Sequence, residues 1–342
     1  MAAELTLLPY PDGWFAIAFS RDLHKQRILR TKIAGKEIVL YRTRTGTAYA
    51  IDPYCPHLGA HLGVGASIKG EEIVCPFHQF AFAPTGVCVR GFDGGPPPKA
   101  SLQHHAVEEM NGVIFIWQSS AGVGPTWRIP SRPAVHGRYA SRHTVTISGH
   151  PQDVIENAID LGHISPVHHY TISVARSPMK TDGHILTIGP TVRRKLPGLG
   201  TAEVNFELEA HGLGYEYVSA YIPELRIHVI VQMMTTLEGP RDLSVRFSVQ
   251  AWVGSGIGSG LGNRLIARAL TYSVGKVFWR DIRLDFPIWE NKTYAAKPRL
   301  TAGDGPIQQY RRWASQFYDS SHDAVRVGTS VIISPIDTQV PS

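Results

Sequence analysis

The sequence predicts an α+β protein of two domains. The first is an all-β domain at the N-terminus, and in the second an antiparallel sheet grips a long C-terminal helix. Short alternating apolar runs fill the first third of the chain, and runs of period two follow at residues 204–208 and 243–249. Apolar residues at helical spacing occupy residues 261–289. The 342 residues, 43% of them hydrophobic, are enough to bury two cores.

The first domain is predicted to span residues 1–118 and to consist of short strands joined by polar turns. Its predicted strands are residues 14–19, 37–41, 48–51, 87–89, 106–108 and 113–117. Residues 119–138 are rich in Ser, Gly and Pro and show no period. This composition indicates a linker between the domains.

The second domain is predicted to span residues 139–320. A strand at residues 139–148 precedes a helix at residues 153–170, where apolar residues recur at helical spacing. Further strands are predicted at residues 215–221 and 227–233. The tail at residues 321–342 is expected to be irregular.

The composition of the chain argues against several classes of function and location. The formal charge is +6, but the basic residues are scattered, so no nucleic-acid partner is expected. No run approaches about eighteen apolar residues, which predicts no transmembrane segment, and the first residues lack the pattern of a secretory signal. The three cysteines fit a reducing compartment, so a cytoplasmic location is expected, with Cys88 as a small buried hydrophobe.

A spaced pair of Cys and His motifs dominates the N-terminal half. Cys55-Pro56-His57 is followed after seventeen residues by Cys75-Pro76-Phe77-His78, so each half offers one thiolate and one imidazole. Two cysteines on one iron and two histidines on the other are the ligands of a Rieske [2Fe-2S] cluster. The prolines favour rigid turns, which predicts two loop tips that present Cys55, His57, Cys75 and His78.

A structural zinc is the competing interpretation of this motif. Zinc sites usually group their cysteines and histidines in separate pairs, whereas here the two types alternate. The flanking residues resemble the Rieske signature of ring-hydroxylating oxygenases. One departure is that Gln79 and Phe80 stand where that family usually has Gly-Trp.

A second candidate metal site lies in the predicted helix at residues 153–170. Two histidines and one carboxylate are the ligand set of non-haem Fe(II) oxygenases, and Asp160, His163 and His168 lie close together in sequence. Their spacing resembles the mononuclear iron motif of Rieske oxygenases. The resemblance implies that His163 and His168 bind iron, whereas Asp160 links His163 to the cluster histidine His78 of the next protomer.

Two other residues of this segment are assigned lesser roles. Asn157, in the same predicted helix, is a second catalytic candidate beside Asp160. His169 competes with His168 as a ligand and is expected to be a pocket residue only.

The third iron ligand must come from elsewhere, and the long C-terminal helix offers Asp281 and Asp285. Residues 285–292, 304–307 and 311–313 are similar to the C-terminal region of steroid-acting Rieske oxygenases. These are the 3-ketosteroid 9α-hydroxylase oxygenase components and the cholesterol 7-desaturases. The resemblance runs from about residue 14 to residue 317 and implies that Asp285 is the ligand.

The resemblance also implies an activity and partners. The chain would be the oxygenase component of a monooxygenase system that uses O2 to hydroxylate or desaturate a bulky hydrophobic substrate, a steroid or sterol. Electrons from NAD(P)H would arrive through a separate reductase, with a ferredoxin as an optional carrier, and the assembly would be a head-to-tail homotrimer or a trimer-based form. The apolar faces of residues 204–208, 215–221 and 227–233 are expected to line the substrate pocket.

Two alternative functions stay open. One is the same chemistry on an aromatic ring, an arylamine or another specialised metabolite. The other is a Rieske electron carrier without oxygenase activity, against which the complete set Asp160, His163, His168 and Asp285 argues.

Overall fold

The computed structural model describes residues 8–91, 96–132, 139–196, 200–254 and 261–318, and its N-terminal part consists mainly of β-strands. Three antiparallel sheets have the strand orders β1-β11-β10, β2-β3-β4-β9 and β5-β6-β7-β8. The strands are β1 Gly13–Phe19, β2 Ile28–Ile33, β3 Lys36–Arg42, β4 Ala48–Ile51, β5 Ser67–Lys69, β6 Glu72–Val74, β7 Ala81–Phe82, β8 Cys88–Arg90, β9 His104–His105, β10 Val107–Met110 and β11 Val113–Gln118.

Strand β3 separates two hydrophobic cores in this domain because successive side chains of a strand point to opposite faces. Val39 and Tyr41 pack into the core that contains Cys55 and Cys75. Ile38 and Leu40 point the other way, into a core with residues of β1 and β11. Cys88 is buried in the first of these cores, as the sequence predicts.

The second part of the chain is built on one antiparallel sheet of seven strands, in the order β12-β18-β17-β16-β15-β14-β13. The strands are β12 Ser141–Ser148, β13 Thr171–Asp182, β14 Ile185–Leu196, β15 Gly200–His211, β16 Tyr215–Ile222, β17 Ile227–Leu237 and β18 Asp242–Val253. The helices are α1 Pro151–Ile159, α2 Ile164–His168, α3 Leu261–Ile282, α4 Phe286–Asn291 and α5 Ile307–Ala314.

Helix α3 lies across one face of this sheet, which we call the inner face. Its Leu270, Val274 and Phe278 pack on the core that contains Phe247 and Val249 of β18. The predicted α+β class, with a β domain followed by a sheet that grips a long helix, is therefore confirmed.

The opposite face of the seven-stranded sheet packs against the first domain. Trp14 and Phe115 share a core with Tyr215 and Met234, and the rings of Phe115 and Tyr215 meet edge to face at 5.4 Å. The first domain therefore covers one face of the sheet, and α3 covers the other.

The structure differs from the sequence prediction in two helices, each of which is divided into two. The predicted helix at residues 153–170 is two helices, because Asp160 adopts an extended backbone after α1 and its Oδ1 accepts the N–H of Gly162 (2.8 Å). The predicted helix at residues 261–289 ends at Ile282, and Pro287, which lacks an N–H, lies at the start of a new helix. The elements β2, β5, β6, β7, β9, β13, β14 and α5 were not predicted from the sequence.

The predicted domain boundaries stay predictions. β11 ends at Gln118 and β12 begins at Ser141, but part of the predicted linker, residues 133–138, lies outside the described residues. The predicted tail at residues 321–342 also lies outside them. No helix in the described part of the chain is both long enough and apolar enough to cross a membrane.

Candidate metal centres

Two loops of the first domain place Cys55 and Cys75 in equivalent positions. In the loop after β4, the N–H of Cys55 donates to the carbonyl of Ala60 (2.9 Å). In the loop after β6, the N–H of Cys75 donates to the carbonyl of Phe80, also at 2.9 Å. Each cysteine therefore begins a turn that is closed by the residue five positions later.

The fifth residue of each loop adopts a left-handed backbone. Gly59 has φ +75° and Gln79 has φ +57°, and their N–H groups donate to the carbonyls of Cys55 and Cys75. Glycine adopts this conformation freely, whereas Gln79 is strained there. The Gln79 side chain partly compensates, because its Nε2 donates to the Cys75 carbonyl (3.4 Å).

The four predicted cluster ligands converge at the tips of these loops. Cys55 and Cys75 are buried and their thiols contact one another, and burial raises the pKa of the Cys55 thiol to about 11. The rings of His57 and His78 lie at the more exposed end, with centroids 4.7 Å apart. Such thiols become thiolates when a cation binds, so the donor set fits a Rieske cluster.

The second site is built on the break between α1 and α2. The cap of α1 is His150, whose Nδ1 accepts the N–H of Gln152 (3.1 Å). His163 lies just before α2, and its Nδ1 is 2.6 Å from the carbonyl oxygen of Asp160. Because a carbonyl only accepts, Nδ1 carries the proton, and Nε2 keeps its lone pair for a ligand.

Helix α1 is held in place by α5. The guanidinium of Arg311 donates two hydrogen bonds to the carboxylate of Glu156, at 2.6 and 2.9 Å. The hydroxyl of Tyr310 donates to the carbonyl of Gln152 (2.7 Å). These contacts fix the helix that leads to His163, and they were not predicted from the sequence.

His163, His168 and Asp285 meet at the end of the inner face. His168 is the last residue of α2 and Asp285 directly precedes α4. One donor atom from each residue lies within 4.8 Å of the others, and His168 Nε2 is 3.3 Å from Asp285 Oδ1.

Burial at this site supports a metal. Asp285 is almost wholly buried, and neither its Oδ1 nor His168 Nδ1 has a hydrogen-bond partner in the described part of the chain. A buried carboxylate without a compensating charge is costly, and a divalent cation would supply that charge. Two imidazoles and a carboxylate fit a non-haem Fe(II) ion.

Two protein families match the chain. A Rieske [2Fe-2S] domain family matches residues 13–99, and the 3-ketosteroid 9alpha-hydroxylase C-terminal domain family matches residues 116–318. The chain belongs to the Rieske oxygenases. It is thus an oxidoreductase, and within that family it falls in the group of 3-ketosteroid 9α-hydroxylases and cholesterol 7-desaturases.

Individual relatives of this Rieske oxygenase carry names from the same group. A cholesterol 7-desaturase from Bombyx mori is 30% identical over 331 residues, covering 91% of this chain and 70% of the relative. A probable 3-ketosteroid-9-alpha-monooxygenase oxygenase component from Rhodococcus rhodochrous is 25% identical, covering 92% of this chain and 81% of the relative.

Solved structures show the same fold at lower identity. Dicamba monooxygenase bound to dicamba superposes with a TM-score of 0.63 at 15% identity, over 90% of this chain and 97% of the other. NdmA from Pseudomonas putida with caffeine has a TM-score of 0.67 at 16% identity, over 88% of this chain and 89% of the other. At these identities the likeness concerns the fold alone.

The predicted catalytic candidates of this Rieske oxygenase both contact His163. Asn157 Nδ2 lies 3.1 Å from His163 Nε2, and Asp160 Oδ2 lies 3.8 Å from His163 Nδ1. The Asp160 side chain is about one-third exposed, so it can also reach a group outside this chain. Their roles stay predictions.

Asp281, the competing candidate ligand, forms hydrogen bonds with other residues. It accepts hydrogen bonds from Tyr170 (2.7 Å) and from Arg194 (2.8 Å), and Arg194 also donates to the Tyr170 hydroxyl. Burial raises the pKa of Tyr170, with the Asp281 charge as a second cause. This triad could not be predicted from the sequence because its members are far apart along the chain. His169 is exposed and has φ +59°, directly after α2.

The residues predicted to line the substrate pocket lie on both faces of the sheet, and their role stays a prediction. Phe206, Val218, Val231 and Met233 lie on the inner face in the core beneath α3. Tyr215 lies on the other face, where its hydroxyl contacts Asn111 and Gln232. The start of the predicted range 215–221 therefore does not line the inner face.

Proposed function

We propose that this Rieske oxygenase is the oxygenase component of a monooxygenase system that oxidises a steroid or sterol. The observation that carries the proposal is the convergence of His163, His168 and Asp285 in a chain that also brings together a Rieske donor set. O2 would be the co-substrate. Electrons from NAD(P)H would arrive through a separate reductase, either directly or through a ferredoxin.

The residues that we propose as metal ligands are those whose donor atoms lie close together. The cluster would be held by Cys55, His57, Cys75 and His78, and the single Fe(II) by His163, His168 and Asp285. When bound, these groups supply one-electron transfer and activation of O2 for attack on a C–H bond. The chain's own part is to hold the donors in place, bind the substrate beside them and exclude water.

Several residues would perform that positioning. The Asp160 carbonyl holds the proton on His163 Nδ1 and so directs Nε2 to the metal. The Asn157 amide lies 3.1 Å from that nitrogen, so a bound metal would replace this contact and leave the amide to orient a bound molecule. Burial of Asp285 keeps its carboxylate out of water, so the charge is directed to the metal.

The substrate class is supported by the relatives and by the inner face. The relatives are named for cholesterol and for 3-ketosteroids, both of which are bulky and apolar. The inner face offers Phe206, Val218, Val231 and Met233, which suit such a substrate. Both hydroxylation and desaturation lie within the proposal, because the relatives include a desaturase and a monooxygenase.

We propose a head-to-tail homotrimer, or a trimer-based assembly, in which Asp160 links His163 to His78 of the next protomer. Its support is the exposure of the two groups that must meet: Asp160 is partly exposed, and His78 is partly exposed at a loop tip. A cytoplasmic location is part of the proposal, since none of the three cysteines forms a disulfide.

The test is a metal count followed by turnover. We expect three irons and two labile sulfides per chain, one iron from the mononuclear site and two from the cluster. His168→Ala should lose one iron, whereas the adjacent control His169→Ala should keep all three.

Turnover with NADH and a surrogate reductase should then give an O2-dependent product from cholesterol or a 3-ketosteroid. A product from an aromatic acid or a methylxanthine but from no steroid would contradict the substrate class. A full metal complement without any turnover would favour the electron carrier.

A further inference from the structure

The outer side of α3 exposes apolar side chains that the core does not use. Leu265, Ile266, Tyr272 and Val277 each keep at least 44% of their surface exposed. The inner side of the same helix already packs on the sheet. The exposed residues therefore form a separate apolar surface, which we call the α3 outer face.

Basic residues lie among these apolar ones. Arg264, Arg268 and Lys276 are exposed on α3, and the Lys276 ammonium lies 4.5 Å from the centre of the Tyr272 ring. The single acid of the helix, Asp281, is turned to Arg194 and Tyr170. It also lies 3.8 Å from Arg280 and partly neutralises it, whereas the described residues include no acidic partner for the other three bases.

We propose that the α3 outer face docks on an anionic phospholipid bilayer. Apolar side chains interleaved with Lys and Arg allow a helix to lie in the headgroup region, where the apolar groups insert and the cations meet lipid phosphates. The long basic side chains can extend to the phosphates while their stems stay in the apolar layer. A second copy of the chain fits less well, because two such faces in contact would place like charges together.

Docking at this face has a consequence for substrate entry. Helix α3 ends three residues before Asp285, and its inner side covers the inner face of the sheet. A substrate dissolved in the bilayer would therefore lie close to the site without crossing water. This consequence rests on the proposed sterol substrate, whereas the docking itself does not.

The experiment is vesicle flotation of the full-length, iron-loaded protein. Vesicles would contain phosphatidylcholine alone, or phosphatidylcholine with one-third phosphatidylglycerol, and no sterol. We expect binding to the anionic vesicles that is about tenfold stronger than to the neutral ones and that falls as salt rises.

Two variants test the α3 outer face itself. The double variant Leu265→Ser/Ile266→Ser, and separately Arg268→Gln/Lys276→Gln, should each weaken binding about tenfold. The control Val64→Ser/Val123→Ser removes two equally exposed valines elsewhere and should leave binding unchanged. The visible spectrum of the cluster and the Tm would verify that each variant is folded.

Several outcomes would overturn the proposal. These are no binding at low salt, equal binding to neutral vesicles, or unchanged binding by both α3 variants. A change in oligomeric state caused by the α3 variants would instead assign the face to a contact between copies. Because the vesicles contain no sterol, failure of the sterol proposal would leave these results unaffected.

Discussion

Replacing Glu216 with glutamine is expected to stabilise the protein, and the gain should grow as the pH rises from about 5 to 8. Glu216 lies in β16 and is fully buried, and its Oε2 has no hydrogen-bond partner among the residues that the structure describes. Burial raises the pKa of this carboxyl from 4.5 to about 8. The folded protein therefore keeps Glu216 neutral at pH 7.

The magnitude follows from the two pKa values. The unfolded chain releases this proton near pH 4.5, whereas the folded chain releases it near pH 8. The wild-type free energy of unfolding therefore falls as the pH rises between these values, by about 1.4 kcal/mol per unit. The full effect is on the order of 5 kcal/mol at pH 8 and about 3 kcal/mol at pH 7. Glutamine has no proton to release and does not lose this stability.

The assay is the Tm of wild type and variant at pH 5, 6.5 and 8, at equal iron content. The control is Glu290→Gln, which changes an exposed carboxyl of α4. We expect the difference between Glu216→Gln and wild type to rise with pH, and the difference for the control to stay near zero. A difference that is constant or that shrinks as the pH rises would refute the assignment of Glu216 as a buried neutral acid.

Three further predictions concern the metal centres. Asp285→Asn should remove one iron per chain. Asp281→Asn should keep the iron count but lower the free energy of unfolding by about 1–2 kcal/mol, because its charged contact with Arg194 is lost. Iron analysis and Tm measurements check both variants, and equal iron loss in the two would contradict the assignment of Asp285 as the ligand. Gln79→Gly should relieve the strain of the left-handed backbone and stabilise the cluster loop by about 1 kcal/mol. We expect the cluster to bleach more slowly in denaturant. Faster bleaching would show that the side-chain hydrogen bonds of Gln79 contribute more stability than the strain removes. Asp160→Asn should leave the visible spectrum and iron content intact and slow turnover at least tenfold; unchanged turnover would rule out a bridging role.

The cluster loops could be predicted because their information is local. Cys55 and His57, and likewise Cys75 and His78, lie within four residues of one another, and proline follows each cysteine. The turn hydrogen bonds of both loops are equally local. Short motifs of this kind need no knowledge of the rest of the fold.

The mononuclear site could be predicted only in part. His163 and His168 are close in sequence, but Asp285 is remote and competes with Asp281 at nearly the same place in the chain. Helical spacing places both aspartates on one helix, and it takes the tertiary contact of Asp281 with Arg194 to separate their roles. The choice of Asp285 therefore depended on the family resemblance.

The helix breaks and the buried acid Glu216 could not be predicted from the sequence for a different reason. The break after α1 is made by a side-chain bond from Asp160 to the backbone, which apolar periodicity does not report. Glu216 is charged in isolation, so a sequence pattern places it at the surface, and only the packing around β16 makes it neutral.

The position of Asp285 has a mechanical consequence. His163 and Asp285 are about 120 residues apart along the chain, and six of the seven strands of the second sheet lie between them. An ion bound to both is therefore a crosslink that ties α4 to α2 and shortens the free loop available to the unfolded chain. The iron would therefore stabilise the C-terminal segment as well as serve as a reactive centre. The rate of proteolysis near α4 would then report whether the iron site is occupied, without any turnover assay.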